Sequence, residues 1–112
     1  MPTEKICSLS EIPPGSVKEF KFQNYDIAIF NVEGKFYAID RKCTHMKGNL
    51  AKGTVEGKIV TCPLHGAKYN LATGELLKQA GSIAGWFKKA TNIPTYKTKT
   101  QKNDLFVEFP DE

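Results

Sequence analysis

The only two histidines of this 112-residue chain each stand beside a cysteine, in Cys43-Thr44-His45 and Cys62-Pro63-Leu64-His65. The pattern is C-x-H, sixteen intervening residues, then C-x-x-H. Two thiolates and two imidazoles so placed can build one four-ligand metal site, and both zinc and iron–sulfur centres accept that donor set. Structural zinc sites usually pair cysteine with cysteine and histidine with histidine. Here each half supplies one sulfur and one nitrogen, and the single residue between Cys43 and His45 lets their side chains point to different metal atoms. Two such halves suit a 2Fe–2S rhomb, with Cys43 and Cys62 on one iron and His45 and His65 on the other. On spacing alone, zinc stays open as the alternative.

The flanking residues carry more information. The runs Cys-Thr-His-Met-Lys-Gly-Asn-Leu (43–50), Val-Thr-Cys-Pro-Leu-His-Gly-Ala-Lys-Tyr-Asn (60–70) and Ala-Thr-Gly-Glu (72–75) strongly resemble Rieske iron–sulfur domains. The similarity is most specific over 41–77 and looser over 26–40. It rests on the four ligands, Pro63, Gly66 and the Thr73-Gly74 turn. The resemblance implies a mainly β, Rieske-like fold of antiparallel sheets with a small cluster-binding subdomain of two loops. It further implies one 2Fe–2S cluster per chain, a buried iron on Cys43 and Cys62, and an outer iron on His45 and His65. The histidine edges would then be the electron exit.

Pro63 and Gly66 bracket His65, which suits a tight loop whose backbone N–H groups can face cluster sulfurs. Gly66 also omits a side chain where the backbone must pass close to the cluster. Within the family, the Rieske subunits of cytochrome bc complexes add a loop disulfide and a serine that donates to a cluster sulfide. The matching places here hold residues of Met46-Lys47-Gly48, Leu64 and Ala67. A tyrosine that donates to a cysteine ligand is matched by Tyr69. Two missing features place the expected potential in the lower part of the Rieske range, roughly −150 to +300 mV. The resemblance is thus to a low-potential ferredoxin of the oxygenase-associated kind.

The remaining composition fits such a carrier. The length suits a single domain, 1–112, with the cluster-binding subdomain at about 41–80. No apolar run approaches the ~18 residues of a membrane span. The start, Met-Pro-Thr-Glu-Lys-Ile-Cys-Ser, lacks the basic-then-apolar order of a secretion signal. Three cysteines, two of them in the metal motif, make no disulfide framework. A cytoplasmic monomer is expected. Cys7, the odd cysteine, reads as a small, partly buried apolar residue near a strand start rather than a redox or tethering thiol.

The elements that must position these ligands read mostly as short strands. A turn-rich entry at Glu11–Gly15 precedes an alternation of Val17, Phe20 and Phe22. Tyr25–Val32 and Lys35–Ile39 pair across Glu33-Gly34, a hairpin signal. Lys58–Thr61 leads into the second half-site. Ile93–Thr100 and Leu105–Phe109 pair at the C-terminus. The aromatics Phe20, Phe22, Phe30, Phe36, Tyr37, Phe106 and Phe109 read as sheet core. Ser82–Ala90 breaks the rhythm, with apolar residues at 83, 86, 87 and 90 on one helical face. It reads as an insertion of about ten residues, with Ser82 as N-cap.

Charge is uneven. Residues 1–40 are net −2, 41–78 net +5 and the remainder net +1. An oxidised 2Fe–2S core balances two thiolates, and reduction subtracts one charge, so the metal-binding stretch stays cationic throughout. A basic collar including Lys42, Lys47 and Lys68 would steer a partner with an acidic docking face. No basic-aromatic strand motif points to nucleic acid. Nor does the chain read as an enzyme: no histidine is spare for a hydrolase base or for an oxygenase iron with two histidines and a carboxylate. The reading is a one-electron carrier between a reductase and an oxygenase or other acceptor. Alternatives are a Rieske-like small subunit of a multi-subunit reductase such as nitrite reductase, and a zinc-stabilised interaction module.

Overall fold

The structure, a computed structural model, describes residues 3–44, 48–64, 66–79 and 90–110. Among the described residues the chain forms three antiparallel sheets. The strands run in chain order as β1 (Thr3–Ser8), β2 (Val17–Phe22), β3 (Tyr25–Val32), β4 (Lys35–Asp40), β5 (Thr54–Glu56) and β6 (Ile59–Thr61). They continue as β7 (Lys68–Asn70), β8 (Leu76–Lys78), β9 (Thr95–Tyr96), β10 (Thr98–Gln101) and β11 (Asp104–Glu108). The sheets have the orders β1-β11-β10, β2-β3-β4-β9 and β5-β6-β7-β8.

The second of these is the wall between two cores. Alternate side chains of a strand face opposite ways, and β3 is buried on both faces. Ile27 and Ile29 join Ala38, Leu105, Val107 and Phe109 in one core. Ala28 and Phe30 join Ile39, Val60, Tyr69 and both motif cysteines in the other. The hairpin β3–β4 turns at Glu33-Gly34, whose φ values of 53° and 91° are both left-handed. That geometry matches the natural strand twist, and the Asn31 carboxamide accepts from Gly34 N–H to hold it.

Some expectations shift. Val17 does not share a face with Phe20 and Phe22: it packs on the cysteine core, they on the other. The segment 93–100 is not one strand. β9 pairs with β4, whereas β10 pairs with β11, so the chain changes sheets at Lys97. Cys7 lies near the end of β1 rather than at a strand start, and a bulge between Lys5 and Cys7 breaks that strand's alternation. The bulge turns both Ile6 and Cys7 towards the same core. Phe106 is half-buried, on the face opposite Leu105 and Val107. The helix expected over Ser82–Ala90 lies outside the described residues except for Ala90, which is buried and not helical.

Candidate metal centre

The first motif loop grows out of the end of β4. Arg41 N–H donates to the Asp26 carbonyl at 2.9 Å, and Leu50 N–H to the Arg41 carbonyl at 2.8 Å. Lys42 and Asn49 bridge antiparallel, and Cys43 N–H donates to the Gly48 carbonyl at 2.7 Å. Residues 41–43 and 48–50 are therefore two legs of one closed loop. Its base is braced by charge. The Arg41 guanidinium grips Asp26 with both Nε (2.7 Å) and an η nitrogen (2.6 Å). Hydrogen bonding from Arg41 holds the Asp26 carboxyl below the usual carboxylate range. The register extends the β3–β4 ladder by one step beyond Ile27↔Asp40. Counting outward from Glu33-Gly34 would have found this pair in the sequence.

The second loop joins β6 to β7. Cys62 N–H donates to the Ala67 carbonyl at 2.8 Å, and Gly66 N–H to the Cys62 carbonyl at 3.1 Å. Gly66 has φ +81°, which a residue with a Cβ adopts only under strain. Pro63 and Leu64 are exposed at the tip, and Ala67 is fully buried at the base. Behind it, the turn at 70–74 is tied to the segment 90–93. Ile93 N–H donates to the Gly74 carbonyl at 2.8 Å, and Leu76 N–H to the Asn92 carboxamide at 2.9 Å. Gly74, at φ +79°, runs so close to the Ile93 carbonyl that a Cβ there would collide with it. The expected Thr73-Gly74 turn thus has a packing reason as well as a conformational one.

The two loops meet where Gly48 faces Cys62, and both motif cysteines lie in the core beneath. Cys43 and Cys62 are 2 % and 1 % exposed and belong to the same buried cluster. Gly48 of the first loop backs directly onto the second: a Cβ on it would lie 2.8 Å from Cys62 Sγ. The gap left by the missing side chain is where that sulfur sits. From β7, the Tyr69 hydroxyl reaches Cys43 Sγ at 3.1 Å and Thr44 Oγ1 at 2.8 Å. Burial, then the hydrogen bond with Cys43, push the Tyr69 phenol well above its ordinary value, so it is a protonated donor. Two buried sulfurs in adjoining hydrogen-bonded loops, one of them facing a phenolic O–H, suit a thiolate-bound iron. When bound, a 2Fe–2S cluster supplies one-electron redox chemistry.

His45 and His65 lie outside the described residues. The structure places Cys43, Cys62, Pro63, Gly66, Ala67 and Tyr69, and brings Cys43 and Tyr69 together. Three features were not singled out from sequence: Gly48 as a cradle for sulfur, the Thr44 hydroxyl, and the Asp26–Arg41 brace. Gln79 and Ala90 are joined directly, because the Gln79 carboxamide both accepts from Ala90 N–H and donates to its carbonyl, each at 3.0 Å. Cys7 is buried in the opposite core, and desolvation raises its thiol pKa, as fits a packing residue.

The Rieske [2Fe-2S] domain model matches residues 3–96. The biphenyl dioxygenase ferredoxin subunit of Pseudomonas sp. strain KKS102 is 38% identical over 106 residues, covering 94% of this chain and 90% of its own. The naphthalene 1,2-dioxygenase ferredoxin component of Pseudomonas aeruginosa is 31% identical over 109 residues, 95% and 97% of the two chains. A solved complex of reduced oxygenase and oxidized ferredoxin in carbazole 1,9a-dioxygenase contains a chain that superposes with a TM-score of 0.78 at 25% identity. That match covers 94% of this chain and 91% of the other. With two motif cysteines meeting in one core beneath paired loops, and relatives matched along nearly the whole length, this chain belongs to the Rieske [2Fe-2S] domain family.

Proposed function

We propose that this chain carries single electrons from a reductase to an oxygenase or another redox acceptor. The cluster is held by Cys43 and Cys62 on one iron and by His45 and His65 on the other. The observation that supports the ligand assignment is that Cys43 and Cys62 lie in one buried core, with the Tyr69 hydroxyl 3.1 Å from Cys43 Sγ. The relatives are named as ferredoxin components of dioxygenase systems, and the carrier role follows from that likeness. The reading includes a single domain over 1–112 with its cluster part at about 41–80, a low potential, a monomer and a cytoplasmic location. No helix among the described residues is long and apolar enough to cross a membrane.

The ligand assignment has a direct test. Anaerobically purified protein is expected to be red-brown, with the iron and sulfide of one 2Fe–2S cluster per chain. Cys43→Ser and His65→Ala should each lose the cluster, and Cys7→Ser should keep it. A colourless protein carrying zinc, or loss of colour in Cys7→Ser, would overturn the assignment.

The motif-bearing stretch 41–78 is basic, net +5, and we read it as the docking side. Arg41 is spent on Asp26 and Glu19. Lys42, Lys52, Lys58 and Lys78 are exposed and Lys68 half-exposed, and none of these lysines makes a salt bridge among the described residues. Lys68 and Lys78 stand directly opposite on β7 and β8, an arrangement of like charges that costs stability. An acidic partner face relieves it. The electron-transfer rate from this chain to its oxygenase should therefore fall steeply from low to physiological salt. A rate indifferent to salt would remove the acidic partner face while leaving the carrier role untouched.

A further inference from the structure

Cys43, Tyr69, Thr44 and Thr91 form one hydrogen-bonded chain, and with Cys43 as a thiolate it holds too few protons to satisfy every contact at once. The Tyr69 hydroxyl has one proton and two neighbours, Cys43 Sγ at 3.1 Å and Thr44 Oγ1 at 2.8 Å. The Thr44 hydroxyl also has one proton. It can go to the Tyr69 oxygen or to the Thr91 carbonyl at 3.0 Å. One lone pair of Thr44 Oγ1 is already taken by Thr91 N–H at 2.9 Å.

Counting protons leaves two self-consistent arrangements. In the first, Thr91 N–H donates to Thr44, Thr44 O–H to Tyr69, and Tyr69 O–H to Cys43 Sγ. In the second, Tyr69 O–H donates to Thr44 and Thr44 O–H to the Thr91 carbonyl, so Tyr69 gives the sulfur no proton. The mixed case, with Tyr69 on the sulfur and Thr44 on the carbonyl, sets two oxygens 2.8 Å apart with no proton between them. A thiolate has no proton of its own and only accepts. Cys43 as an iron ligand therefore selects the first arrangement.

We propose that Thr44 is a positioning residue: its hydroxyl, anchored by the Thr91 backbone, aims and polarises the Tyr69 hydroxyl onto Cys43, and so helps set the reduction potential. This rests on the ligation by Cys43 proposed above. The residue between two motif ligands is then part of the tuning, not only a spacer. A donor feeding the Tyr69 oxygen makes its O–H a stronger donor, by roughly 10–30% per added bond. A stronger bond to sulfur favours the more negative, reduced state. Thr44 also connects the potential to the segment 90–93, because its anchor is Thr91.

The test is protein-film voltammetry on Thr44→Val, which keeps the shape and removes the hydroxyl, and on Thr44→Ser, which keeps the hydroxyl. Thr44→Val should lower the potential by at least roughly a tenth of the shift caused by Tyr69→Phe. Thr44→Ser should restore the parent value. In a Tyr69→Phe background Thr44→Val should have no further effect, since the chain is already cut. An unchanged potential in Thr44→Val, or an equal shift with and without the Tyr69 hydroxyl, would overturn the proposal. Should Thr44→Val take up no cluster, Thr44→Ala carries the same expectation. Iron and sulfide content of the parent protein tests the ligation separately from this shift.

Discussion

Gly48→Ala should purify with most of its cluster missing, although the substitution adds a single methyl group. The backbone at Gly48 is not left-handed, so alanine meets no conformational obstacle there. The obstacle is the neighbouring loop. The new Cβ would lie 2.8 Å from Cys62 Sγ and 3.1 Å from Leu64 Cγ and Cδ1. A cysteine free of metal could rotate away at little expense, but a sulfur bonded to iron has one permitted position. The strain therefore falls on the cluster-bound state. Overpacking of this kind costs about 1–3 kcal/mol, equivalent to roughly a 5- to 150-fold loss in cluster retention at 1.4 kcal/mol per tenfold. Iron content and the rate of cluster loss to a chelator measure it. Leu64→Ala on the same background separates the two obstructions. If the sulfur is the main one, trimming the exposed Leu64 restores little. Retention equal to the parent's in Gly48→Ala would show that Cys62 Sγ does not stay in this cradle once it binds iron.

Tyr69→Phe should retain the cluster and lower its potential. The ring is fully buried and keeps its packing; only the hydroxyl facing Cys43 Sγ is removed. Hydrogen bonds to charged groups are worth about 1.5–3 kcal/mol. The part that counts is the difference between the two redox states. If about 1–2 kcal/mol of the bond appears only on reduction, a one-electron couple moves by roughly 40–90 mV, at 59 mV per tenfold. The direction is downward, because the lost donor favoured the more negative state. Voltammetry reads it directly. A potential equal to the parent's would mean that Tyr69 gives its proton to Thr44, and the role assigned to Thr44 would fall with it.

The sequence by itself determined the candidate ligand set of the centre. Metal ligands must be particular residue types at short spacings, so Cys43, His45, Cys62 and His65 stand out locally in a chain with no other histidine. It also determined the central hairpin, because a left-handed Glu33-Gly34 turn pins the register of both strands around it. Once that register is known, Asp26 falls beside Arg41 by counting. What surrounds the sulfurs was decided only in three dimensions. Tyr69 reaches Cys43 across 26 residues because β7 pairs with β6 in one sheet while Cys43 leaves the end of another. Gly48 looks like any loop glycine until the second loop packs against it. The bulge in β1 and the change of sheets at Lys97 likewise depend on which edge each strand finds, not on its own alternation. The proposed ligands are written in neighbouring residues; the hydrogen bond that reaches Cys43 comes from a strand paired at long range, where register and packing, rather than local pattern, fix which atoms meet.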